Sequence, residues 1–291
     1  MKNDEAVSTV IALMLILGII ATLIAIYSAT YLPGLKQQSE IEHSREVANA
    51  FVRFDSDIDY VVSHKKTARF SEPFSLGGGD VLLSPVRSSG LVTIAKGPLV
   101  NVTVRTGTGI GVSGPASLVN ISYVPSFTAW EPQGYRWEYG LVVVTKDDVA
   151  VPQSSRYNTM NETLEDRSEF FRSFVGLEMD PAGTNLVITL VNLFPKESKS
   201  FITGSGIATL EVNATASESS LTKVTNIVFE DLAPDPEESR MEDHLNSLCD
   251  RVCDAGLATY KPEGSSHTLE FDPDHPVTVT LRIVNVEVSV C

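Results

Sequence analysis

Between residues 6 and 35 the chain carries no charged side chain, and residues 6–32 read AVSTVIALMLILGIIATLIAIYSATYL. At 1.5 Å per residue, roughly 27 helical residues make a rod of about 40 Å, longer than the roughly 30 Å hydrocarbon layer of a bilayer. The stretch predicts one transmembrane helix over residues 7–32, long enough to span with some tilt. Tyr27 and Tyr31 fall where an interfacial aromatic belt belongs, and Pro33-Gly34 ends or kinks the helix beyond the apolar run. A cleaved secretory signal has an apolar run about half as long and a basic leader, whereas this leader reads Met-Lys-Asn-Asp-Glu.

The junction Asp4-Glu5-Ala6-Val7-Ser8-Thr9-Val10-Ile11-Ala12-Leu13-Met14 resembles the N-terminus of archaeal type IV pilins, where an acidic residue is followed by Ala-Val-Ser-Pro-Val-Ile-Gly and an aliphatic helix. The resemblance covers about the first thirty residues. It implies a class III signal in which a prepilin-type peptidase removes residues 1–6 on the cytoplasmic side: Glu5 at position −2, Ala6 at −1, and Val7 as the first mature residue. Thr9 stands where the family usually has Pro, Ala12 where it usually has Gly, and Ile11 where many bacterial pilins carry a glutamate. Membrane anchoring is therefore implied more directly than polymerisation. The positive-inside rule, comparing Lys2 with Lys36, Arg45 and Arg53, points to the opposite orientation. The pilin likeness, the short leader and the sequons below favour a cytoplasmic N-terminus and an extracytoplasmic C-terminal domain, at the cell membrane or in a surface filament.

Beyond Pro33, apolar residues recur at Val47, Phe51, Phe54, Ile58 and Val61 or Val62, the spacing of one helical face. An amphipathic extension is expected over residues 33–66, packed on the following domain or forming a coiled-coil stalk. From residue 67 to 291 the pattern changes to short β-prone runs, clearest at 99–104, 118–124, 139–145, 186–193, 207–212, 225–230 and 277–290. The expected fold class is α+β: a transmembrane helix, its amphipathic extension, and a mainly antiparallel β-sandwich of about eight to twelve strands. One C-terminal helix is expected around residues 237–254, with Met241, Leu245, Leu248 and Val252 on one side.

A net charge of −15, with Lys and Arg scattered, lacks the footprint of a nucleic-acid binder. Cys249, Cys253 and Cys291 lack zinc or redox spacing. Cys291, ending a β-prone run, is placed to bridge to Cys249 or Cys253, and three free thiols are the alternative. Gly109-Ile-Gly111-Val-Ser-Gly114 matches a dinucleotide fingerprint, but Pro115 and a β-prone run follow instead of a helix, so a hairpin is expected. Asp55-Ser-Asp57-Ile-Asp59 has Tyr60 where a calcium loop needs glycine and reads as a solvated helix face. Asp272-Pro-Asp274-His275 reads as an acidic turn.

His43, His64, His244, His267 and His275 show no metalloprotease spacing, and no nucleophile elbow is present. No catalytic centre, cofactor or metal site is expected. Asn101, Asn120, Asn161 and Asn213 head Asn-x-Ser/Thr sequons and are candidate glycosylation acceptors if the domain is extracytoplasmic.

The leading expectation is a pilin-like structural subunit or minor pilin for adhesion or assembly, with the membrane, other pilin-like subunits, assembly proteins and the peptidase as partners. Small residues Ala12, Gly18, Ala21 and Ala25 suit close helix packing in a filament. A non-polymerising surface module binding glycans, partner proteins or a surface layer is the alternative, and a membrane-tethered hydrolase is a third.

Overall fold

The computed structural model describes residues 3–78, 87–138, 140–146, 149–152, 169–181, 183–233 and 240–291. Helix α1 (Asn3–Ile26) passes through a single π-helical turn (Tyr27–Tyr31) into α2 (Leu32–His64), so one helical rod carries both the apolar stretch and the amphipathic extension. The π turn has a local cause. Pro33 has no amide proton for the Ala29 carbonyl and its ring crowds that turn, while the Leu32 amide bonds five residues back to the Tyr27 carbonyl. The proline is absorbed as a widened turn, and the helix is not ended there. It stops at Lys65, a non-glycine residue in the left-handed region (φ 53°) whose amide caps the Val61 carbonyl at 2.8 Å.

The two halves of the rod have different surroundings. Every side chain from Val10 to Ile26 is exposed, whereas Val47, Phe51, Phe54, Ile58, Val61 and Val62 are buried. The three-and-four stripe of α2 is therefore part of the core of the body, as its periodicity predicts.

The body contains β1 (Ala68–Ser75), β2 (Ser89–Thr106), β3 (Gly109–Ser126), β4 (Gly134–Glu138), β5 (Leu141–Lys146), β6 (Val149–Pro152), β7 (Val175–Met179), β8 (Asn185–Pro195), β9 (Phe201–Gly204) and β10 (Ile207–Asp231). Helix α3 (Met241–Asp254) follows, then β11 (Ala258–Glu263), β12 (Ser266–Phe271) and β13 (Val277–Val290). Tracing neighbours from β10 gives β13, β8, β3, β2 and β10 again, so five strands close into a barrel.

Closure corrects the expected sandwich, and its physical origin lies in β10. Residues 210–224 of β10 pair with β13, and after a register shift at Leu221/Val224 residues 224–231 pair with β2. One long, bulged strand thus serves both sides of the closure, which short β-prone windows do not reveal. The seam between β8 and β3 is parallel and narrow, a single bridge at Ser117 and Asn192. A side chain reinforces it, the Ser117 hydroxyl donating to the Leu193 carbonyl at 2.6 Å, while Asn192 Nδ2 ties β8 to β13 by donating to Asn285 Oδ1 at 2.8 Å.

Two glycines of the fingerprint-like sequence serve this closure. A Cβ at Gly114 would stand 2.4 Å from Ile283 Cδ1, and one at Gly111 would stand 2.5 Å from Leu221 Cδ1. The segment forms the start of β3 after a tight turn from β2, a hairpin as expected. The expectation of one C-terminal helix also needs correction. Helix α3 begins at Met241 and is followed by three strands, and residues 169–172 form a further helical turn. The buried side chains of α3 include Met241, Leu245, Leu248 and Val252, the stripe read from the sequence.

Candidate functional site

The contacts along α2 order the body by height above the apolar rod. Lowest, Lys36 Nζ donates to Thr128 Oγ1 at 3.3 Å. One turn higher, the Glu40 carboxylate, only 1% exposed, accepts from the amides of Thr128 (2.8 Å), Ala129 (2.9 Å) and Trp130 (2.7 Å) and from the Thr128 hydroxyl (3.0 Å). Successive amides converging on one carboxylate form an anion nest, and the charge supplied is covalently part of α2. The result is a clasp between the rod and the β3–β4 loop.

Above the clasp, the Tyr123 hydroxyl donates to the Leu76 carbonyl at 3.0 Å, so the 2.9 Å contact from His43 to that hydroxyl is a donation from Nε2. This leaves His43 neutral with Nδ1 unpartnered, and burial holds its pKa below the usual histidine value. Higher still, Phe51 meets Phe74 and Tyr135, Phe54 stands edge-on to Trp137, and Asp55 accepts from Trp137 Nε1 at 2.6 Å. Asp55 and Asp57 are therefore more than a solvated helix face. Asp57 Oδ2 is buried without a hydrogen-bond partner, and burial, aided by the Glu72 charge and opposed by Arg53, raises its pKa to about 6.

At the opposite end lies an open groove of about 680 Å³ formed by the β2–β3 turn, the bulge of β10 and the β12–β13 loop. Thr106, Thr108, Thr225, Lys223, Asp272 and Pro276 are among its lining residues. Lys223 sits in the left-handed region (φ 59°), the backbone cost of the bulge that aims it there. The acidic turn beside it is self-satisfied: Asp272 accepts from the Asp274 amide (2.9 Å) and from His275 Nδ1 (3.2 Å). Hydrogen bonding lowers the Asp272 pKa. The groove offers hydroxyls, one ammonium and one carboxylate on an apolar floor.

The other candidate residues are dispersed. Glu5, Ala6 and Val7 lie in the first turns of α1. Asn213 is exposed on β10, Asn101 and Asn120 are half-buried on β2 and β3, and Asn161 lies outside the described residues. The Asn120 Oδ1 atom is buried without a hydrogen-bond partner.

All three cysteines are free, so the expected bridge is not formed. Cys291 exchanges backbone hydrogen bonds with Thr209 at the start of β10. Helix α3, bearing Cys249 and Cys253, packs against β11 and β12, and β12 pairs with the far end of β10. The length of β10 separates the two places. Burial raises the Cys249 thiol pKa to about 12, which suppresses its thiolate. His244 Nε2 donates to the Val175 carbonyl (2.8 Å), and His267 contacts the Tyr260 hydroxyl at 2.5 Å; burial lowers both histidine pKa values. Among the described residues no group of His, Cys, Asp and Glu is arranged to hold a metal ion.

These features define a class by form: a closed β-barrel body carried on one helix that is long and apolar enough to cross a membrane. No family model, curated protein or solved structure matches the chain.

Proposed function

We propose that this chain is an archaeal type IV pilin-like protein, a structural subunit or minor pilin of a cell-surface filament, anchored by α1 with its barrel outside the cell. One observation carries the reading. An apolar helix with its described side chains exposed from Val10 to Ile26 continues into a helix whose face completes the core of the body. Such a surface is unstable in water and needs lipid or the equivalent helices of neighbouring subunits. The resemblance at Glu5-Ala6-Val7 supports processing by a prepilin-type peptidase, and the exposed sequon at Asn213 suits an outward-facing body.

Intact-mass measurement of the native protein tests the anchor, with cleavage after Ala6 as the expected result and loss of the whole stretch to about residue 30 as the overturning one. Imaging of shear-released filaments with peptide identification tests assembly. Absence of this chain from such filaments, with the chain retained in membranes, favours a non-polymerising surface binding module. The polar groove at the free end of the barrel is the feature that supports this second reading, as a place for a hydroxyl-rich ligand such as a glycan.

A further inference from the structure

The exposed apolar side chains of the body are unevenly distributed. Among the described residues beyond Ile26, the exposed large hydrophobics are Tyr31, Tyr60, Leu91, Val124, Trp130, Phe201, Ile207 and Leu232. Tyr60 and Leu232 stand apart. Leu91 pairs with Val124 across β2 and β3 and with Thr203 of β9, Phe201 lies two residues further along β9, and Ile207 pairs with Ser75, beside the Leu76 amide that bonds to Gly206. Tyr123 links His43 to the Leu76 carbonyl, and the Trp130 amide is held by Glu40. Leu91, Val124, Ile207 and Trp130 belong to the end of the body nearest α1, and Phe201 extends the patch up β9 to the level of Thr93.

We infer that this rim, led by Trp130, is a second membrane contact: a seat that rests on the lipid surface beside the anchor. The inference rests on the reading of α1 as a membrane helix. An apolar helix of about 40 Å in a roughly 30 Å layer is accommodated by tilt, for which the observed range extends to about 40°. The continuous helix carries the body with it and lowers one side toward the bilayer. From Leu32 to Glu40 the axis rises about 12 Å, or about 9 Å along the membrane normal at that tilt. The interfacial layer is about 5–8 Å deep on each side. The helix axis at Glu40 thus stands just above that layer, and the β3–β4 loop beside it is lowered into the headgroups when the tilt is toward it; a tryptophan 36% exposed in that loop is the side chain that prefers that environment. The Glu40 clasp fixes the height, because three loop amides are bonded to a helix residue at a set distance from the apolar stretch. Lipid is the fitting occupant because the rim is continuous with the helix that enters it.

The chain has two tryptophans, and Trp137 is fully buried, so Trp130 reports on the rim. The full chain is reconstituted in phosphatidylcholine vesicles with and without acyl chains brominated near the headgroup, and vesicle flotation is recorded on the same samples. The expected result is flotation with partial quenching of the emission by brominated lipid, and complete loss of the quenchable part in Trp130→Phe. Flotation without quenching overturns the seat and leaves the anchor standing. Failure to float overturns the anchor and the seat with it. Quenching that persists in Trp130→Phe places lipid at Trp137 and overturns the seat as described.

Discussion

Glu40 and Asp57 lie on the same helix in opposite electrostatic circumstances. Glu40 is buried with four donors around its two oxygens, whereas one Asp57 oxygen is buried with none. Hydrogen bonds to a charged group contribute about 1.5–3 kcal/mol each, and truncating the acceptor strands its donors. Glu40→Ala is expected to destabilise the body by about 2–3 kcal/mol in detergent, read as an earlier thermal transition in tryptophan fluorescence. Asp57→Asn is expected to do the reverse. Its folded-state pKa is raised from 3.8 to about 6, so above pH 6 the folded protein carries a disfavoured charge that the asparagine removes. The variant should melt roughly 2–4 °C higher at pH 7, an advantage that shrinks as pH falls from about 6 toward 3.8 and wild-type Asp57 takes up its proton. An unchanged or lower melting temperature at pH 7 would refute this. Neither fate was legible in the sequence, where both are carboxylates on a helix, because the groups that decide them are brought in by the fold, the β3–β4 loop amides for Glu40 and burial with Glu72 of β1 for Asp57.

Helix α2 is a structural part of the barrel, although the sequence equally allowed a separate stalk. Its stripe fills the core with Phe51, Phe54 and Ile58, all fully buried. A chain beginning at Leu35 is expected to fold as a soluble unit with a cooperative thermal transition. One beginning at Ala68 should lose that transition, because an uncovered face of this size exceeds the stability of an ordinary domain. Circular dichroism melts on the two chains decide the matter, and a cooperative, β-rich transition in the shorter one would show that α2 is dispensable. The existence of the stripe was legible because burial on one face imposes a 3.6-residue period. The short strands β1, β7, β9, β11 and β12 were not, since their pairing with β10, β8, β2 and β12 stabilises segments with weak patterns of their own.

For the whole molecule, three histidines dominate the expected acid response. His43, His244 and His267 all have pKa values lowered from 6.5, with burial as the leading cause. The folded protein keeps them neutral while the unfolded chain protonates them, so stability is full above pH 6.5 and is lost as pH falls from there toward their folded values. Protonation of Asp57 acts in the opposite direction below about pH 6 and softens the loss. Denaturation midpoints measured between pH 7.5 and 5 should fall, and His43→Gln should reduce the slope; a flat profile would count against the buried neutral tautomers. The N-terminal rod, the face of α2, the side of α3 that is buried and the hairpin after Gly107 were all determined by sequence alone, because each follows from local period, length or turn chemistry. Closure of the barrel, separation of Cys291 from α3, the clasp on Glu40 and the gathering of exposed apolar residues at one end were decided only by tertiary structure. Each depends on contacts between segments far apart in sequence, the closure above all on which strands β10 joins, and such contacts leave no periodic signature along the chain.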